Sequence, residues 1–195
     1  MPKTTILVGL LILALAALVV RPAFTEEEKG PSPDEIMAWY GKMGQPGEHH
    51  KWMDFMQGNW TVGVTMWMEP GEGQESEARC TNEWVLGKHH MECKFVGEFM
   101  GQAFHGRGIV GFNNASEEYE QTWIDNSSTW VSLTKGKREG DEVTFLGKEP
   151  SPSGALDTRS VLKRVGPDAY TWTSYRTIPG LGEMKGMELR YTRAK

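Results

Sequence analysis

Cysteine is scarce in this sequence, and the short motifs that hold metal ions are absent. The 195 residues include two cysteines and five histidines. No Cys-x-x-Cys motif and no His-x-x-x-His pair occurs, so the usual ligand spacings of zinc sites are missing. The histidines form two adjacent pairs and a single residue, and neighbours on a strand point to opposite faces. We therefore expect no metal site.

Positive charge is also in deficit, and no nucleophile motif is present. The formal net charge is −5, from 21 Lys and Arg against 26 Asp and Glu. The absence of a Lys and Arg stripe argues against a nucleic-acid-binding surface. No Gly-x-Ser-x-Gly motif occurs, and no Ser or Cys lies beside an evident histidine and acid partner. The sequence therefore gives little support to catalysis and none to nucleic-acid binding.

One long apolar run occurs, and it lies near the first residue. Lys3 precedes an apolar stretch from Ile6 to Val20, which Arg21 ends. A charged start and a short apolar centre are typical of a secretory signal, and the run is shorter than the roughly 20 residues that span a bilayer. We expect a signal over residues 1–25 and export to the periplasm or the extracellular space. An uncleaved anchor in the membrane is the alternative.

Two short helices are predicted to follow, after a charged, proline-rich tether at residues 26–33. Ser32 and Pro33 form the pattern of a helix N-cap and first turn. In the stretch HHKWMDFMQ, which begins at His49, the large apolar residues recur at spacings of three and four, the helical period. We therefore assign residues 34–57 to short helices.

From Trp60 onwards, apolar and polar residues alternate in segments of about ten residues. Nine clusters of turn-forming residues delimit ten strands with short connections, which is typical of an antiparallel meander. A sheet of ten strands tends to curl or close, and an up-and-down barrel removes its edges. We predict an all-β barrel over residues 58–195, with a two-sheet sandwich as the alternative. The predicted turns are Glu69–Gly71, Leu86–Lys88, Met100–Gly101, Asn113–Asn114, Asp125–Ser127, Glu139–Asp141, Pro150–Gly154, Gly166–Asp168 and Pro179–Gly180.

Several stretches resemble a known family. The most specific are Trp123-Ile124-Asp125-Asn126 and the glycine-rich run from Gly101 to Gly111, and the closing GMELRYTR also matches. From about His50 onwards the chain resembles domain of unknown function 1579, which looks like a relative of the calycin barrels. That group includes lipocalins, fatty-acid-binding proteins and nitrobindin-type haem barrels. The resemblance implies a barrel fold and no settled activity.

The resemblance to lipocalins implies a role for Trp60. In lipocalins the tryptophan of a Gly-x-Trp motif closes one end of the barrel beneath a basic residue of the last strand. Here Gly58 and Trp60 match that motif, and the last strand offers Arg190 and Arg193. We predict that Arg190 lies over the indole, a contact worth roughly 0.5–2 kcal/mol. The alternative is that Trp60 is an ordinary core residue.

One face of each predicted strand points into the lumen, because side chains alternate along a strand. A lumen with several aromatics and scattered polar groups suits a small, largely apolar ligand, although a filled core has the same composition. Asp125 is predicted to be a polar anchor at the barrel mouth, or a turn former. The predicted lining residues are Trp60, Val62, Met66, Trp84, Met91, Phe95, Trp123, Trp130 and Trp172.

Non-catalytic ligand binding is the leading functional hypothesis, and two others stay open. One is an enzyme of the hydrolase or isomerase type that uses Asp125, Glu188 or His105 as acid or base. The other is a structural or interaction module with a filled barrel. We expect no cofactor, and haem bound through His105 is the alternative that the nitrobindin resemblance implies. Gly106 and Gly108 lie within a strand pattern, so we interpret them as allowing curvature and close approach of a neighbour.

Cys80 and Cys93 are predicted to face each other across a hairpin. A two-residue turn at Leu86 and Gly87 would place them directly opposite, with Cβ atoms roughly 4.5–5.5 Å apart. Export would bring them into an oxidising compartment, so we expect a disulfide. A register shift of one residue would put them on opposite faces and forbid the bond. Two reduced, neighbouring thiols are the alternative.

Overall fold

The strands of this protein close into a barrel. The computed structural model describes residues 30–195, so the predicted signal sequence and the first half of the predicted tether lie outside the described residues. Ten antiparallel strands follow one another around the barrel in chain order, and the last pairs with the first. The predicted up-and-down barrel is confirmed, and the sandwich is wrong. The strands are β1 (Gly58–Met66), β2 (Gln74–Val85), β3 (His90–Phe99), β4 (Gln102–Asn113), β5 (Glu118–Asp125), β6 (Ser132–Glu139), β7 (Glu142–Ser151), β8 (Gly154–Gly166), β9 (Ala169–Ile178) and β10 (Gly182–Arg193).

Each predicted turn cluster lies at a connection between consecutive strands. Four of these connections have only two residues, and the one between β3 and β4 consists of Met100 and Gly101. Both residues have positive φ, 52° and 76°. Positive φ at both central residues is the requirement of a type I′ hairpin, whose twist matches that of the flanking strands. Glycine at the second position meets this requirement without strain.

The helices precede the barrel. Helix α1 (Pro33–Met43) begins at Ser32, whose hydroxyl accepts from the Glu35 amide while the Glu35 carboxylate accepts from the Ser32 amide. This reciprocal pair is a capping box. Helix α2 (Glu48–Trp52) and a 3₁₀ helix (Met53–Met56) follow it. Within residues 30–195, none of the helices has the length and apolar character needed to cross a bilayer.

The 3₁₀ helix closes one end of the barrel. Its residues Met53, Phe55 and Met56 are buried in the core. The Met56 carbonyl accepts two hydrogen bonds, from Trp60 Nε1 at 2.7 Å and from Asn82 Nδ2 at 2.9 Å. A carbonyl at a helix C-terminus has no partner within the helix, so these two side chains supply it. The closing helix is thereby bonded to both β1 and β2.

The basic residue over Trp60 is Arg193, so the prediction of Arg190 is wrong. Arg193 pairs with Trp60 across β10 and β1, and its guanidinium carbon lies 4.3 Å from the centre of the indole ring. Arg190 pairs with Gly63 and lies on the outer face of the barrel. Side chains alternate from Met187 to Arg193, after the bulge in β10, so the odd-numbered positions of this part share the lumen face with Trp60.

Arg193 also holds the closing helix in place. Its guanidinium donates to the carbonyls of Phe55 at 3.1 Å and Gln57 at 2.8 Å, and to the Asp168 carboxylate at 2.6 Å. A Cβ atom at Gly58 would lie 2.9 Å from Arg193 Nη1, and Gly58 has φ of +119°. Both the conformation and the space require glycine at this position. The Gly-x-Trp motif therefore serves the clamp between the closing helix, β1 and the last strand.

Replacement of Arg193 by alanine should destabilise the protein by about 2–4 kcal/mol, because a cation–π contact and several charge-assisted hydrogen bonds are lost together. Arg190→Ala removes the same side chain from an exposed position with ion pairs to Glu75 and Glu188, and should cost under about 1 kcal/mol. Urea denaturation of both variants measures the difference. Equal effects of the two substitutions would contradict the clamp.

Cys80 and Cys93 are not directly opposite each other, so that prediction is wrong. Cys80 pairs with Phe95, and Cys93 pairs with Asn82. The connection between β2 and β3 spans residues 86–89, four residues rather than two, which moves the register by two positions. Because the shift is even, both cysteines stay on the lumen face. They are diagonal neighbours, with sulfur atoms 2.9 Å apart, and both are free thiols.

The disulfide stays a prediction. The neighbouring Cys93 and then burial raise the pKa of the Cys80 thiol well above its usual value, so the pair should react slowly. With oxidised glutathione as the oxidant, one bond between Cys80 and Cys93 should form, with release of two molecules of reduced glutathione. Thiol counting on unfolded, unreduced protein should then find none, whereas two thiols per chain would contradict the bond.

Candidate functional site

The lumen above the closing helix contains two adjoining cavities. The inner chamber, bordered by Met91, Tyr170, Trp172 and Tyr191, has a volume of about 200 Å³. The outer chamber, with a volume of about 220 Å³, is bordered by Met66, Phe95 and Phe104 and lies towards the end of the barrel opposite the closing helix. The residues that border both chambers are Trp123, Met187 and Leu189. The two chambers are therefore neighbours along one lumen.

Six of the predicted lining residues border a chamber. Met91, Trp130 and Trp172 border the inner chamber, Met66 and Phe95 the outer one, and Trp123 both. Trp130 lies in the loop between β5 and β6, whereas the sequence pattern predicts it on a strand.

The other three predicted lining residues fill the closed end and border neither chamber. Trp60 and Val62 are fully buried against the closing helix. Trp84 is half-buried, and its Nε1 donates to the Asp54 carboxylate at 2.7 Å. Alternation along the strand reveals which side chains point inward. It does not reveal how far along the barrel the packed core ends and the open lumen begins.

The inner chamber has an uncharged wall, because none of its lining residues is an acid or a base. Apolar and aromatic side chains form most of it, and hydroxyl and amide groups interrupt them. Tyr170 and Tyr191 are among the lining residues that the sequence analysis missed, although each lies two positions from another lumen residue, Trp172 and Leu189. The polar lining residues are Asn82, Gln121, Ser132, Thr134, Thr158, Ser160, Tyr170, Ser174 and Tyr191.

A directed set of hydrogen bonds forms the floor of the inner chamber. The Met56 carbonyl can only accept, so the amide nitrogen of Asn82 must face it. The second proton of that nitrogen goes to the Tyr170 hydroxyl oxygen, at 2.8 Å. The carbonyl oxygen of Asn82 accepts from the Cys80 thiol at 3.2 Å. The orientation of Asn82 is therefore determined by the closing helix.

Tyr170 and Tyr191 stack side by side on this floor. They pair across β9 and β10, and their rings lie 4.0 Å apart at an angle of 10°. Burial raises the pKa of both phenols well above the usual value. Both hydroxyls therefore remain protonated and able to donate at neutral pH.

Trp123 occupies a slot that two glycines leave open. A Cβ atom at Gly106 would lie 2.2 Å from Trp123 Cζ2, and one at Gly108 would lie 3.0 Å from Cε3. The indole Nε1 donates to the Asp125 carboxylate at 2.9 Å. The predicted close approach at these glycines is therefore that of an indole ring on the next strand.

Asp125 borders the outer chamber, and its carboxylate already accepts three hydrogen bonds. Besides the Trp123 indole, its carboxylate accepts from the amide and the hydroxyl of Ser127, at 2.9 and 2.6 Å. These are the contacts of a turn former. Asn126 continues the turn and bonds to the backbone of His105 and Ala103 on β4. The motif Trp123–Asn126 thus positions the indole and joins β5 to β4.

The candidate acid and base residues are not brought together. Glu188 lies on the outer face between Lys185 and Arg190, and the Lys185 ammonium lowers the pKa of its carboxyl. His105 is exposed on the outer face, opposite Val96. It borders neither chamber, and no histidine is among the described residues that line them. The lumen does not fit a haem with a histidine ligand.

The remaining four histidines gather at the closed end, outside the lumen. The His49 ring stacks on Phe112, with ring centres 3.9 Å apart. Burial lowers the pKa of His50 and of His90, and the neighbouring histidines lower both further. Among residues 30–195, no group of three or more His, Cys, Asp or Glu is arranged to hold a metal ion.

Gly106→Ala should destabilise the protein by roughly 1–3 kcal/mol, because the new methyl group would occupy space that the Trp123 indole holds. The matched control is Gly166→Ala on β8, where a Cβ atom meets nothing within 4 Å. Thermal unfolding and near-UV circular dichroism should change only in the Gly106 variant. An unchanged melting temperature and tryptophan spectrum in both variants would contradict the slot.

Comparison with solved structures shows similarity in fold. The S-type phycobiliprotein lyase CPES from Guillardia theta has a TM-score of 0.51 and 10% identity, over 77% of this chain and 99% of that one. Rv2717c from M. tuberculosis has a TM-score of 0.52 and 11% identity, over 77% of this chain and all of the other. At such identities the similarity concerns the barrel alone.

Comparison by sequence identifies the family. No curated protein matches the chain. The family model described as "Protein of unknown function (DUF1579)" matches residues 45–193, which include the closing helix and all ten strands. The barrel and the motifs described above thus lie inside the matched range, and the chain belongs to the DUF1579 family.

Proposed function

We propose that this protein binds a small, uncharged, largely apolar ligand in its lumen and does not transform it. The observation that carries the proposal is the inner chamber, a cavity of about 200 Å³ whose lining residues include aromatics and hydroxyls but no acid or base. Apolar walls with a few oriented polar groups are the general character of small-molecule sites. A charged ligand would lose its hydration there without gaining a partner.

The size of the chambers limits the ligand. A dry cavity of roughly 150 Å³ already accepts benzene. A compound of one or two fused rings therefore suits the inner chamber, and a longer one would extend past Trp123 into the outer chamber. Two carboxylates, those of Glu98 and Asp125, border the outer chamber, and Asp125 already accepts from Trp123 and Ser127.

The other two functional hypotheses receive less support. An enzyme would need an acid or base at the ligand, and of the three candidates Glu188 and His105 lie on the outer face. Asp125 borders the outer chamber, but its carboxylate already accepts three hydrogen bonds from Trp123 and Ser127. A structural module with a filled barrel would leave no cavity of this size. Non-catalytic binding is therefore the function that the geometry favours. Export through the N-terminal signal is part of the proposal and rests on the sequence alone.

Blocking the inner chamber tests the function. N-Phenyl-1-naphthylamine is a neutral probe whose fluorescence rises in apolar surroundings. Ser174 lines the inner chamber on β9, and Ser174→Phe should fill it and weaken probe binding at least tenfold. Thr173→Phe adds the same ring on the outer face of the same strand and is the matched control. Saturable binding of one probe per chain is expected for the wild type and the control only.

Two outcomes would contradict the proposal: no saturable binding to the wild type, or equal binding to all three proteins. Native mass spectrometry of protein from its own source adds a second measurement. A retained small neutral mass is expected, and the mass of the chain should correspond to a start near Glu26. A chain that begins at Met1 or Pro2 would contradict the cleavage.

A further inference from the structure

Tyr191 presents a hydroxyl without a protein partner to the inner chamber. The side chain is 7% exposed, and it borders the inner chamber. Within the described residues, its oxygen neither donates nor accepts a hydrogen bond. The fully buried side-chain atoms without a partner among residues 30–195 are Trp52 Nε1 and Ser128 Oγ, so the Tyr191 oxygen is accessible from the chamber. A ligand that displaces water from the chamber must offer this hydroxyl an acceptor, because the hydroxyl would otherwise lose its hydrogen bond.

The Tyr170 hydroxyl is a second hydrogen-bond donor, next to the hydroxyl of Tyr191. Its oxygen accepts from Asn82, and Asn82 is oriented by the Met56 carbonyl, so the tyrosine cannot act as donor in that bond. Within residues 30–195 no acceptor for the Tyr170 proton is present. The parallel stacking on Tyr191 puts both phenols on the same side of the floor. Two donors therefore face the chamber together.

We infer that Tyr170 and Tyr191 recognise a carbonyl oxygen of the ligand, which is an uncharged ketone, aldehyde, ester or amide with an apolar ring system. A carbonyl oxygen has two lone pairs and can accept from both hydroxyls. This inference rests on the proposed function, since it concerns the ligand of the same chamber. Beyond the proposed function, it specifies a carbonyl as the polar group of the ligand, and Tyr170 and Tyr191 as the residues that select it.

Two alternatives for the ligand group fit less well. A carboxylate or phosphate would need a cation, and no Lys, Arg or His lines the inner chamber. The guanidinium of Arg193, on the same face of β10, is occupied by three carbonyls and Asp168. An ammonium would need a carboxylate, and neither Asp nor Glu lines the inner chamber. A neutral acceptor satisfies both hydroxyls and requires no counter-ion.

Two isosteric probes separate the hydrogen bond from burial. 2-Acetylnaphthalene carries a carbonyl, and 2-isopropenylnaphthalene has a methylene group in place of the oxygen. In calorimetric titrations, Tyr170→Phe and Tyr191→Phe should each weaken ketone binding roughly three- to tenfold and leave hydrocarbon binding within about twofold. Tyr175→Phe removes the same hydroxyl from the outer face of β9, where the ring lies against Arg159, and should change neither.

Infrared spectra report directly on the hydrogen bonds to the carbonyl of the bound ketone, and a purely structural role of the tyrosines would leave its band unchanged. With a ¹³C-labelled carbonyl, the stretching band of the bound ketone should lie below its position in hexane, and each lumen variant should shift it back. Tyr191→Phe removes a hydroxyl without a partner, so its thermal stability should equal or exceed that of the wild type. This variant keeps the test valid if Tyr170→Phe, which also deprives Asn82 of an acceptor, fails to fold.

The outcomes distinguish this inference from the proposed function. If both probes bind but ketone affinity and the carbonyl band are unchanged in Tyr191→Phe, the inference is wrong and ligand binding stands. Equal loss of ketone binding in Tyr175→Phe would also overturn it. If neither naphthalene binds to the wild type, the proposed function fails and the inference fails with it.

Discussion

The carbonyl of Met56 is the group on which the closed end and the floor of the lumen both depend. It ends the 3₁₀ helix and accepts from Trp60 and from Asn82, so one buried oxygen joins the helix to two strands. A buried donor that loses its acceptor carries its full desolvation cost. A substitution that displaces the Met56 carbonyl would therefore destabilise both Trp60 and Asn82. Through Asn82 the same bond also decides which way the Tyr170 hydroxyl can donate.

The lumen stays open because its largest side chains are held against the wall or at the end. The Trp60 indole lies between the closing helix and Arg193, and the Trp123 indole lies in the slot at Gly106 and Gly108. Asp125 accepts from the Trp123 indole and so keeps the ring from turning into the cavity. The family motifs thus hold the two indoles in place around the chamber. Most of the residues that line the inner chamber belong to neither motif.

Two predictions from the sequence are wrong because they depend on the register between neighbouring strands: the arginine over Trp60 and the pairing of the two cysteines. The motif alone does not distinguish Arg190 from Arg193, and it is the pairing of β10 with β1 that puts Arg193 opposite Trp60. Leu86-Gly87 alone would suffice for a two-residue turn, whereas Leu86, Gly87 and Lys88 all have positive φ in a connection of four residues. The missed tyrosines share the period-two pattern with Trp172 and Leu189, but no local motif marks them.

The sequence by itself determined the number of strands, their turns, the helix start at Ser32 and the inward face of most strands. Each of these follows from local properties, namely backbone preference at the turns and alternation of apolar side chains. Only the tertiary structure decided which arginine lies over Trp60, how the cysteines are placed, and where the packed core gives way to a cavity. These depend on register between strands and on depth along the barrel, which local patterns do not encode.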